Sequence, residues 1–410
     1  MSAYYLLGKK LPHSYSAKIH RDRGYDYALK EIDESALGDF IKRGEYDGLN
    51  VTLPYKETVL RYLDEIDGAA ARIGAVNTIV RRDGKIVGYN TDYYGMRFAL
   101  KSAGVNVKNK TVVVLGGGGA GKTARVLCGD LGAKEIFTVG RTSAINYENC
   151  YDICRDARLI INCTPLGTYP FDAETPVNLS AFRKLEFAFD CAYNPFRTEF
   201  LLQAEANGLK RENGLKMLVA QGLAAEKLWT GKDFTVGDVS AIARKIQSET
   251  VNVALIGMPG AGKTVIGRTL AAITGRELVD TDEEIKRRYK LDSAEIINRY
   301  GERYFREAES NVLDEACQRR GVIIATGGGS VLREDNRRRL KRNCAVFYIK
   351  RDLSLLPQIG RPLSEKYSAK ELFDMRKPFY EETCDYAITN DANVETAAKE
   401  IVEICEKFSL

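Results

Sequence analysis

Short apolar runs alternate along the chain with longer amphipathic stretches, a pattern that predicts parallel α/β domains. A first series of predicted strands comprises residues 4–8, 25–32, 48–52, 75–81 and 85–89. The last two flank Arg82-Asp83-Gly84, and Asp-Gly between two such runs is a strong hairpin signal. The chain is therefore expected to open with four or five strands, of which the last two form a hairpin.

Two further series of apolar runs follow. The second comprises residues 111–115, 135–139, 159–162 and 187–190, and the third comprises residues 251–256, 278–280, 322–325, 345–349 and 386–389. Residues 219–247, between them, have a helical pattern, and the polar stretch Ser248-Glu249-Thr250 precedes the third series. We predict a domain boundary at this stretch, with two lobes before it and one domain after it.

Composition narrows the class of protein. The 410 residues are 44% hydrophobic and 29% charged, which excludes a disordered or collagen-like chain. No apolar run approaches the roughly 20 residues of a membrane span, and residues 1–10 lack the pattern of a signal peptide. Nine cysteines without a Cys-x-x-Cys pair predict reduced thiols in a cytoplasmic protein. With only two histidines, histidine-based zinc or triad chemistry is nearly excluded.

One glycine-rich loop has the pattern of a nucleotide-binding P-loop. Residues 257–264 have the sequence GMPGAGKT, after an apolar strand and before a helical stretch. In that context backbone amides surround phosphates, Lys263 reaches the β- and γ-oxygens, and Thr264 can hold Mg²⁺. Gly260 and Gly262 would let the backbone approach the phosphates. We predict an ATP site here.

A second loop satisfies two patterns at once. Residues 116–123 have the sequence GGGGAGKT, which fits the P-loop and also Gly-x-Gly-x-x-Gly. The next predicted strand ends in Gly140-Arg141-Thr142, and an Arg there suits the 2′-phosphate of NADP, whereas a kinase needs an Asp for Mg²⁺. We favour an NADP loop, with Lys122 on the surface. Its predicted cofactor-binding residues are Gly116, Gly118, Gly119, Ala120, Arg141 and Thr142.

The first 248 residues resemble shikimate dehydrogenase over nearly their whole length. The motifs that carry the resemblance are His13-Ser14-Tyr15-Ser16, Asn50-Val51-Thr52-Leu53-Pro54-Tyr55-Lys56, Ala75-Val76-Asn77-Thr78, Asn90-Thr91-Asp92, Asn162-Cys163-Thr164-Pro165-Leu166-Gly167, Asp190-Cys191-Ala192-Tyr193-Asn194-Pro195 and Met217-Leu218-Val219-Ala220-Gln221-Gly222. Their order and spacing together are highly specific, although each alone is weak.

This resemblance implies a reduction of 3-dehydroshikimate to shikimate by NADPH. Lys56 would be the acid/base and Asp92 its partner, since a ketone reduced by hydride needs a proton donor at the developing alkoxide. The implied substrate-binding residues are Ser14, Ser16, Thr52, Asn77, Tyr193 and Gln221. From the residues alone, Ser14 and Ser16 could equally cap a following helix. Gly140 stands where the family usually has Asn, which leaves the choice between NADP and NAD open.

Residues 249–410 resemble shikimate kinase. The motifs are the P-loop, Asp280-Thr281-Asp282, Tyr300-Gly301-Glu302-Arg303-Tyr304-Phe305-Arg306 with Glu309, Ala325-Thr326-Gly327-Gly328-Gly329, Arg361-Pro362-Leu363 and Arg376-Lys377-Pro378-Phe379-Tyr380. The P-loop alone predicts only a nucleotide-binding domain, whereas the full set of motifs indicates a small-molecule kinase.

The kinase resemblance implies a role for each of these residues. Lys263 would stabilise the transferring phosphoryl group, Thr264 and Asp280 would hold Mg²⁺, and Asp282 would orient or deprotonate the attacking hydroxyl. The residues implied to bind shikimate are Arg306 and Arg376, which would clamp its carboxylate, and Gly328 and Gly329, which would let the backbone approach it. Glu309 would fix the rotamer of Arg306. Arg361, on a closing loop, would contact the ATP phosphates.

Together these observations predict a bifunctional enzyme of aromatic amino acid biosynthesis that uses NADPH, ATP and Mg²⁺. The expected fold is a two-lobed dehydrogenase with a Rossmann NADP lobe, followed by a P-loop kinase domain. The predicted domains are residues 1–248, divided into a substrate lobe (1–95 and about 219–248) and an NADP lobe (96–218), and residues 249–410. Partners are small molecules, 3-dehydroshikimate and shikimate, without nucleic acid or membrane, and the oligomeric state is open.

Three alternatives remain at this point. One is an NAD-dependent quinate/shikimate oxidoreductase fused to the kinase, which Arg141 disfavours. The second is a ligand sensor built from pathway-enzyme domains, although Lys56, Asp92, Lys263 and Asp282 are all present. The third is nucleic-acid binding by the basic run at residues 337–342, for which a solvated helix face is the better interpretation because aromatic residues are not interleaved with it.

Overall fold

A computed structural model describes residues 3–11, 14–356, 368–391 and 393–407 of the protein. The chain divides into two compact units, Met1–Ala243 and Arg244–Leu410, and the division falls within a helix at Val236–Thr250. Residues 248–250, predicted to separate the domains, form the last turn of this helix. The hydroxyl groups of Ser248 and Thr250 donate to the carbonyls of Lys245 and Ile246, which lets a polar stretch end a helix.

The first sheet of the N-terminal unit is mixed. Its strands are β1 (Tyr4–Gly8), β2 (Tyr27–Glu31), β3 (Gly48–Val51), β4 (Glu65–Ile66), β5 (Thr78–Arg82) and β6 (Lys85–Tyr89), in the order β2-β1-β3-β5-β6-β4. β5 runs antiparallel to β3 and to β6. The predicted hairpin is confirmed, since Arg82 pairs with Lys85 and both turn residues, Asp83 and Gly84, have positive φ angles of 53° and 78°.

Helices flank this sheet and bring site residues to its edge. They are α1 (Ser16–Arg21), α2 (Glu34–Arg43), α3 (Gly68–Ile73) and α4 (Thr91–Ser102), with a short 3₁₀ helix at Thr58–Tyr62. α4 begins after Asn90, whose side chain accepts a hydrogen bond from the amide of Tyr93. Leu7, Leu49, Val76 and Ile79 pack with α2 in the core on one face of the sheet.

The second sheet of this unit is parallel throughout. Its strands are β7 (Thr111–Leu115), β8 (Glu135–Val139), β9 (Leu159–Asn162), β10 (Phe187–Asp190) and β11 (Lys210–Glu212), in the order β11-β10-β9-β7-β8. β8 lies on one side of β7, and β9 to β11 lie on the other, so the strand order switches sides between β7 and β9. The carboxyl ends of these two strands therefore form the crevice where such sheets bind ligands. The helices between its strands are α5 (Gly119–Asp130), α6 (Cys150–Ile153) and α7 (Glu199–Ala206), with a 3₁₀ turn at Leu179–Ala181. Helices α8 (Leu215–Thr230) and α9 (Val236–Thr250) follow the last strand.

The predicted helical stretch at residues 219–247 is two helices, α8 and α9, rather than one. α8 ends because Gly231 adopts a left-handed conformation with φ 75°. Before that end, the Trp229 indole donates to the Ile79 carbonyl, which ties the end of α8 to strand β5. Along the sequence, the strands of the second sheet thus lie between two segments of chain that pack with the first sheet.

The C-terminal unit has one parallel sheet. Its strands are β12 (Asn252–Ile256), β13 (Leu278–Asp280), β14 (Ile323–Ala325), β15 (Cys344–Lys350) and β16 (Tyr386–Thr389), in the order β13-β14-β12-β15-β16. Its helices are α10 (Lys263–Thr274), α11 (Thr281–Tyr289), α12 (Ser293–Tyr300), α13 (Glu302–Gln318), α14 (Glu334–Asn343), α15 (Ala369–Thr383) and α16 (Val394–Lys407), with 3₁₀ turns at Ser330–Leu332 and Leu353–Leu355. The predicted fold class is confirmed in both units.

Candidate active sites

Lys56 and Asp92 form an ion pair at the edge of the first sheet. Lys56 Nζ lies 2.6 Å from Asp92 Oδ2, with 19% and 12% of the two side chains exposed. Lys56 follows β3, and Asp92 lies in the first turn of α4, which Asn90 anchors by donating to the Ala75 carbonyl at 2.9 Å. The pair is shielded yet accessible, as a group that exchanges a proton with a bound molecule must be.

Two of the predicted substrate-binding residues meet beside this pair. Asn77 Nδ2 lies 3.4 Å from Gln221 Oε1, so the end of β5 and helix α8 share one polar cluster. The Asn77 carboxamide oxygen also accepts from the Thr91 amide at 2.6 Å, and the Thr91 hydroxyl lies 3.0 Å from that of Thr78. All four side chains are buried. Thr78 and Thr91 lie within the predicted motifs, but the sequence did not predict that they belong to this polar cluster.

The predicted serines lie at the start of helix α1, with Ser16 its first residue and Ser14 two positions earlier. The amide of Ser16 donates to the hydroxyl of Ser14 at 3.2 Å, but the N-cap position is Tyr15 and no side chain caps the helix, so the capping alternative is wrong. The rings of Tyr15 and Tyr193 lie 5.3 Å apart, which places the loop after β10 beside this turn. Thr52, partly exposed after β3, is held by its amide on the Leu7 carbonyl at 2.9 Å.

The glycine loop of the first unit lies between β7 and α5. Gly116 has φ 96°, and a Cβ at Gly121 would lie 2.0 Å from the Gly116 carbonyl oxygen, so both positions require glycine. A Cβ at Gly118 would meet nothing within 4 Å, which leaves open space above the loop. A Cβ at Gly119 would lie 3.6 Å from Cδ of Lys56. The loop therefore lies directly beside the Lys56–Asp92 pair.

The flanks of this loop distinguish its two possible uses. Lys122 pairs with Glu57 at 2.7 Å on the surface and does not fold over the loop. Arg141 and Thr142 are exposed immediately after β8, at the sheet edge that also carries the loop. Ala120 lies in the first turn of α5, partly buried.

The P-loop of the second unit has a different shape. Gly260 and Gly262 have φ angles of 84° and 97°, and helix α10 begins at Lys263 itself. Lys263 Nζ donates to the carbonyls of Gly257 and Met258 at 2.9 and 3.0 Å. The ammonium group thus lies over the loop that surrounds phosphates in P-loop proteins.

Two aspartates follow β13 at the same sheet edge. Asp280 Oδ2 accepts from the Thr264 hydroxyl at 2.6 Å, while its Oδ1 caps α11 by accepting from the amides of Asp282 and Glu283. Asp280 therefore caps α11 and also contacts Thr264, the other residue that the resemblance implies for Mg²⁺. The Asp282 side chain is exposed to solvent within the cleft; partial desolvation there, reinforced by the charges of Asp280 and Glu309, raises its pKa to about 6.

Arg306, on α13, is held near Asp282 through Glu309, since a Cβ at Gly327 would lie 2.4 Å from Glu309 Oε1 and 3.2 Å from Asp282 Oδ1. The Arg306 guanidinium, 13% exposed, donates to Glu309 Oε2 at 2.8 Å, the contact that was predicted to fix its rotamer. The buried Glu309 also accepts from the Ser330 hydroxyl at 2.8 Å. A Cβ at Gly329 would lie 2.4 Å from Arg306 Nη1, and one at Gly328 would lie 2.6 Å from the ring of Pro259. The glycine triplet is therefore required for this packing.

Arg376 is buried in α15 and borders the same region. It is close enough to Tyr380 to lower the pKa of that phenol, although burial dominates and raises it overall. The Tyr380 hydroxyl donates to the Gly328 carbonyl, a contact the sequence did not predict.

Arg361, the last predicted residue, lies outside the described residues. The charges of Arg337, Arg338 and Arg339 are paired with acidic side chains on and around α14. The predicted solvated helix face is wrong for part of the run, since Arg342 is buried and the Arg337 guanidinium packs over the Phe379 ring.

The described ranges lack two other kinds of feature. They contain no cluster of three or more His, Cys, Asp or Glu side chains that could hold a metal ion. Among the same residues, no helix is long and apolar enough to cross a membrane.

Each unit matches a known protein family. Residues 6–79 match the shikimate dehydrogenase substrate binding domain, and residues 259–406 match shikimate kinase. The chain is 38% identical over 252 residues to "Shikimate dehydrogenase (NADP(+))" of Clostridium perfringens, covering 56% of this chain and 93% of that protein.

Solved structures give the same result for the N-terminal part. A chorismate mutase/shikimate 5-dehydrogenase fusion protein from Clostridium acetobutylicum is 37% identical with a TM-score of 0.56, covering 60% of this chain and 96% of that one. Shikimate 5-dehydrogenase from Thermus thermophilus, solved with NADP(H) and shikimate, is 33% identical with a TM-score of 0.54, covering 60% and 99%.

Proposed function

The chain belongs to the shikimate dehydrogenase family and carries a shikimate kinase domain, so it is a bifunctional enzyme of the shikimate pathway; from this premise we propose the substrates and the direction of each step. The first unit reduces 3-dehydroshikimate to shikimate with NADPH. The second phosphorylates the 3-hydroxyl of shikimate with ATP. The observation that carries the proposal is the Lys56–Asp92 pair lying against the glycine loop.

In the reduction, Lys56 supplies the proton. As the ketone becomes an alkoxide, the ammonium group donates to the new oxygen, and in the reverse oxidation the neutral amine takes that proton back. Asp92, 2.6 Å away, stabilises the ammonium form and fixes its direction. Asn77 and Gln221 hold ring hydroxyls, and Ser14, Ser16, Thr52 and Tyr193 complete the pocket, with the two serines on the carboxylate.

The first unit suits NADP, which when bound supplies the hydride. The open space beside Gly118 and the close packing of Gly121 on Gly116 are what a pyrophosphate at a helix N-terminus requires. Arg141, exposed at the end of β8, pairs with the 2′-phosphate. We assign residues 96–218 to this cofactor lobe and residues 1–95 and about 219–248 to the substrate lobe.

In the kinase, the rate acceleration comes from positioning of the reactants and neutralisation of the phosphate charge. Asp282 takes the proton of the attacking hydroxyl, and a pKa of about 6 keeps it ionised at neutral pH while close enough to accept a proton. Arg306 and Arg376 bind the shikimate carboxylate, for which planar guanidinium groups are suited. Both are largely withdrawn from water, unlike ordinary surface arginines.

The second unit suits ATP with Mg²⁺, which when bound neutralises the phosphates. Lys263 lies over the loop, and the Thr264 hydroxyl with the Asp280 carboxylate provides the oxygen atoms that Mg²⁺ prefers. Gly260 and Gly262 shape the loop through their positive φ angles. The kinase domain comprises residues 249–410, with Arg361 on the ATP phosphates.

One coupled assay tests both halves. Purified protein receives 3-dehydroshikimate, NADPH, ATP and Mg²⁺, and the products are separated by mass. We expect shikimate 3-phosphate from the wild type, unreduced substrate from Lys56→Ala and unphosphorylated shikimate from Lys263→Ala. Absence of both products from folded protein that still binds shikimate would favour the ligand-sensor alternative.

A further inference from the structure

A histidine and a glutamate of the first unit, His20 and Glu226, contact each other while both are buried. His20, on α1, is 0% exposed, and its Nδ1 lies 2.8 Å from Oε1 of Glu226 on α8. The other oxygen of Glu226 accepts from Arg23 at 2.5 Å. Neither His20 nor Glu226 belongs to the reacting groups, and removing either partner of such a buried pair would leave the other without compensation.

The pair joins the two helices that carry substrate-binding residues. Ser16 is the first residue of α1, one turn before His20, and Gln221 lies on α8 ahead of Glu226. The imidazole also packs on the residue after Gln221, because a Cβ at Gly222 would lie 3.5 Å from His20 Cε1. A shift of this ring would therefore displace both helices at the pocket.

A third connection runs from the imidazole into the first sheet. The ring of His20 stacks on that of Tyr27 with centroids 4.3 Å apart. The Tyr27 hydroxyl donates to Asn50 Oδ1 at 2.8 Å, and Asn50 Nδ2 donates to the Thr78 hydroxyl at 3.1 Å. That hydroxyl in turn lies 3.1 Å from Asn77 Oδ1, so buried contacts extend from His20 to the Asn77 carboxamide.

We propose that His20 and Glu226 are positioning residues, which hold Ser16 on α1 against the substrate carboxylate and Gln221 on α8 against its ring hydroxyls. The inference rests on the proposed function of the first unit. The pair also matters electrostatically: His20 and Arg23 hold a buried carboxylate that would otherwise oppose the binding of a second carboxylate nearby.

Graded substitutions at residue 20 test the proposal. His20→Leu removes the group that contacts Glu226, whereas His20→Asn keeps an amide donor near the position of Nδ1. For the oxidation of shikimate by NADP, we expect His20→Leu to raise the KM for shikimate about tenfold, with His20→Asn between it and the wild type. The kcat and the KM for NADP should change much less, because Lys56 and the glycine loop are untouched.

A control variant and a second substrate separate positioning from general destabilisation. Tyr46→Phe removes another buried hydrogen bond of the same unit, from the Tyr46 hydroxyl to the Ile41 carbonyl at 2.9 Å, and should leave the KM for shikimate unchanged. The methyl ester of shikimate lacks the carboxylate charge. We expect His20→Leu to lower the preference for shikimate over its ester, while Tyr46→Phe preserves it.

The outcomes distinguish failure of the proposed function from failure of the positioning role. If wild-type protein fails to oxidise shikimate, the proposed function fails and this inference falls with it. If the wild type is active but His20→Leu and His20→Asn keep its KM for shikimate and its preference over the ester, only the positioning role is overturned. Should His20→Leu not fold, His20→Asn and Glu226→Gln give the same comparison, because both preserve polar atoms in the buried site.

Discussion

A methyl group at residue 329 should selectively damage the kinase. Gly329 has φ −104°, which alanine adopts readily, so the substitution Gly329→Ala adds a contact without backbone strain. The added Cβ would lie 2.4, 2.5 and 2.7 Å from Nη1, Nη2 and Cζ of Arg306. Ordinary van der Waals separation is about 3.5 Å, so the guanidinium must move by about 1 Å.

The size of the effect follows from what Arg306 would lose. Moving its guanidinium breaks the 2.8 Å hydrogen bond to the buried Glu309 and misaligns the group that we place on the shikimate carboxylate. A hydrogen bond between charged groups contributes about 1.5–3 kcal/mol. We therefore expect kcat/KM of the kinase for shikimate to fall about tenfold to a hundredfold.

The assay has an internal control, because the dehydrogenase lies on the same chain. Kinase and dehydrogenase rates are measured on one preparation of Gly329→Ala, and the dehydrogenase rate should equal that of the wild type. Ser330→Ala, which removes the second donor to Glu309 without adding volume, is the matched comparison and should have a smaller effect. A kinase kcat/KM within about twofold of the wild type would refute the assigned role of Arg306.

Three further predictions concern single groups. Lys56→Ala should lower the dehydrogenase rate by about 10²- to 10⁴-fold through loss of the proton donor and leave the kinase unchanged in the same sample; a minor loss would contradict the acid/base assignment. Kinase kcat/KM should fall as the pH decreases through about 6, because the Asp282 carboxylate that accepts the proton is ionised only above its pKa; a flat profile between about pH 5 and 7 would argue against this base. Arg141→Ala should reduce the ratio of NADP to NAD efficiency about tenfold, since it removes a charged contact with the 2′-phosphate; an unchanged ratio would place that contact elsewhere.

The sequence predicted most of the sheets because most strands are apolar runs bounded by turn residues. It failed where that signal is weak. β4, Glu65–Ile66, is two exposed residues long, and β11, Lys210–Glu212, is wholly charged, so neither has an apolar pattern. The end of α8 depends on one left-handed glycine, Gly231, within an otherwise helical stretch. Such features are set by pairing and backbone conformation, which hydrophobic periodicity does not record.

In the candidate sites, too, the sequence predicted the residues that lie in local motifs and missed the contacts between distant elements. Motifs predicted the Lys56–Asp92 pair because both residues lie in short recognisable segments. They could not predict that Glu226 contacts His20, 206 positions away, or that the Tyr380 hydroxyl donates to the Gly328 carbonyl. Contacts of this kind depend on how distant elements pack, and a single sequence carries no local pattern for them.

The two glycine loops show how one pattern can encode two sites. GGGGAGKT and GMPGAGKT match at the lysine, yet α5 begins at Gly119, three residues before Lys122, whereas α10 begins at Lys263 itself. In the first loop the lysine is already on the helix surface, where it pairs with Glu57. In the second, positive φ angles at Gly260 and Gly262 delay the helix, so the lysine begins it and folds back over the loop carbonyls. The residue at which the helix begins therefore decides whether the lysine can reach a phosphate. The sequence feature that distinguishes the two sites lies at the end of the strand that follows each loop, where Arg141 comes two residues after β8 and Asp280 is the last residue of β13.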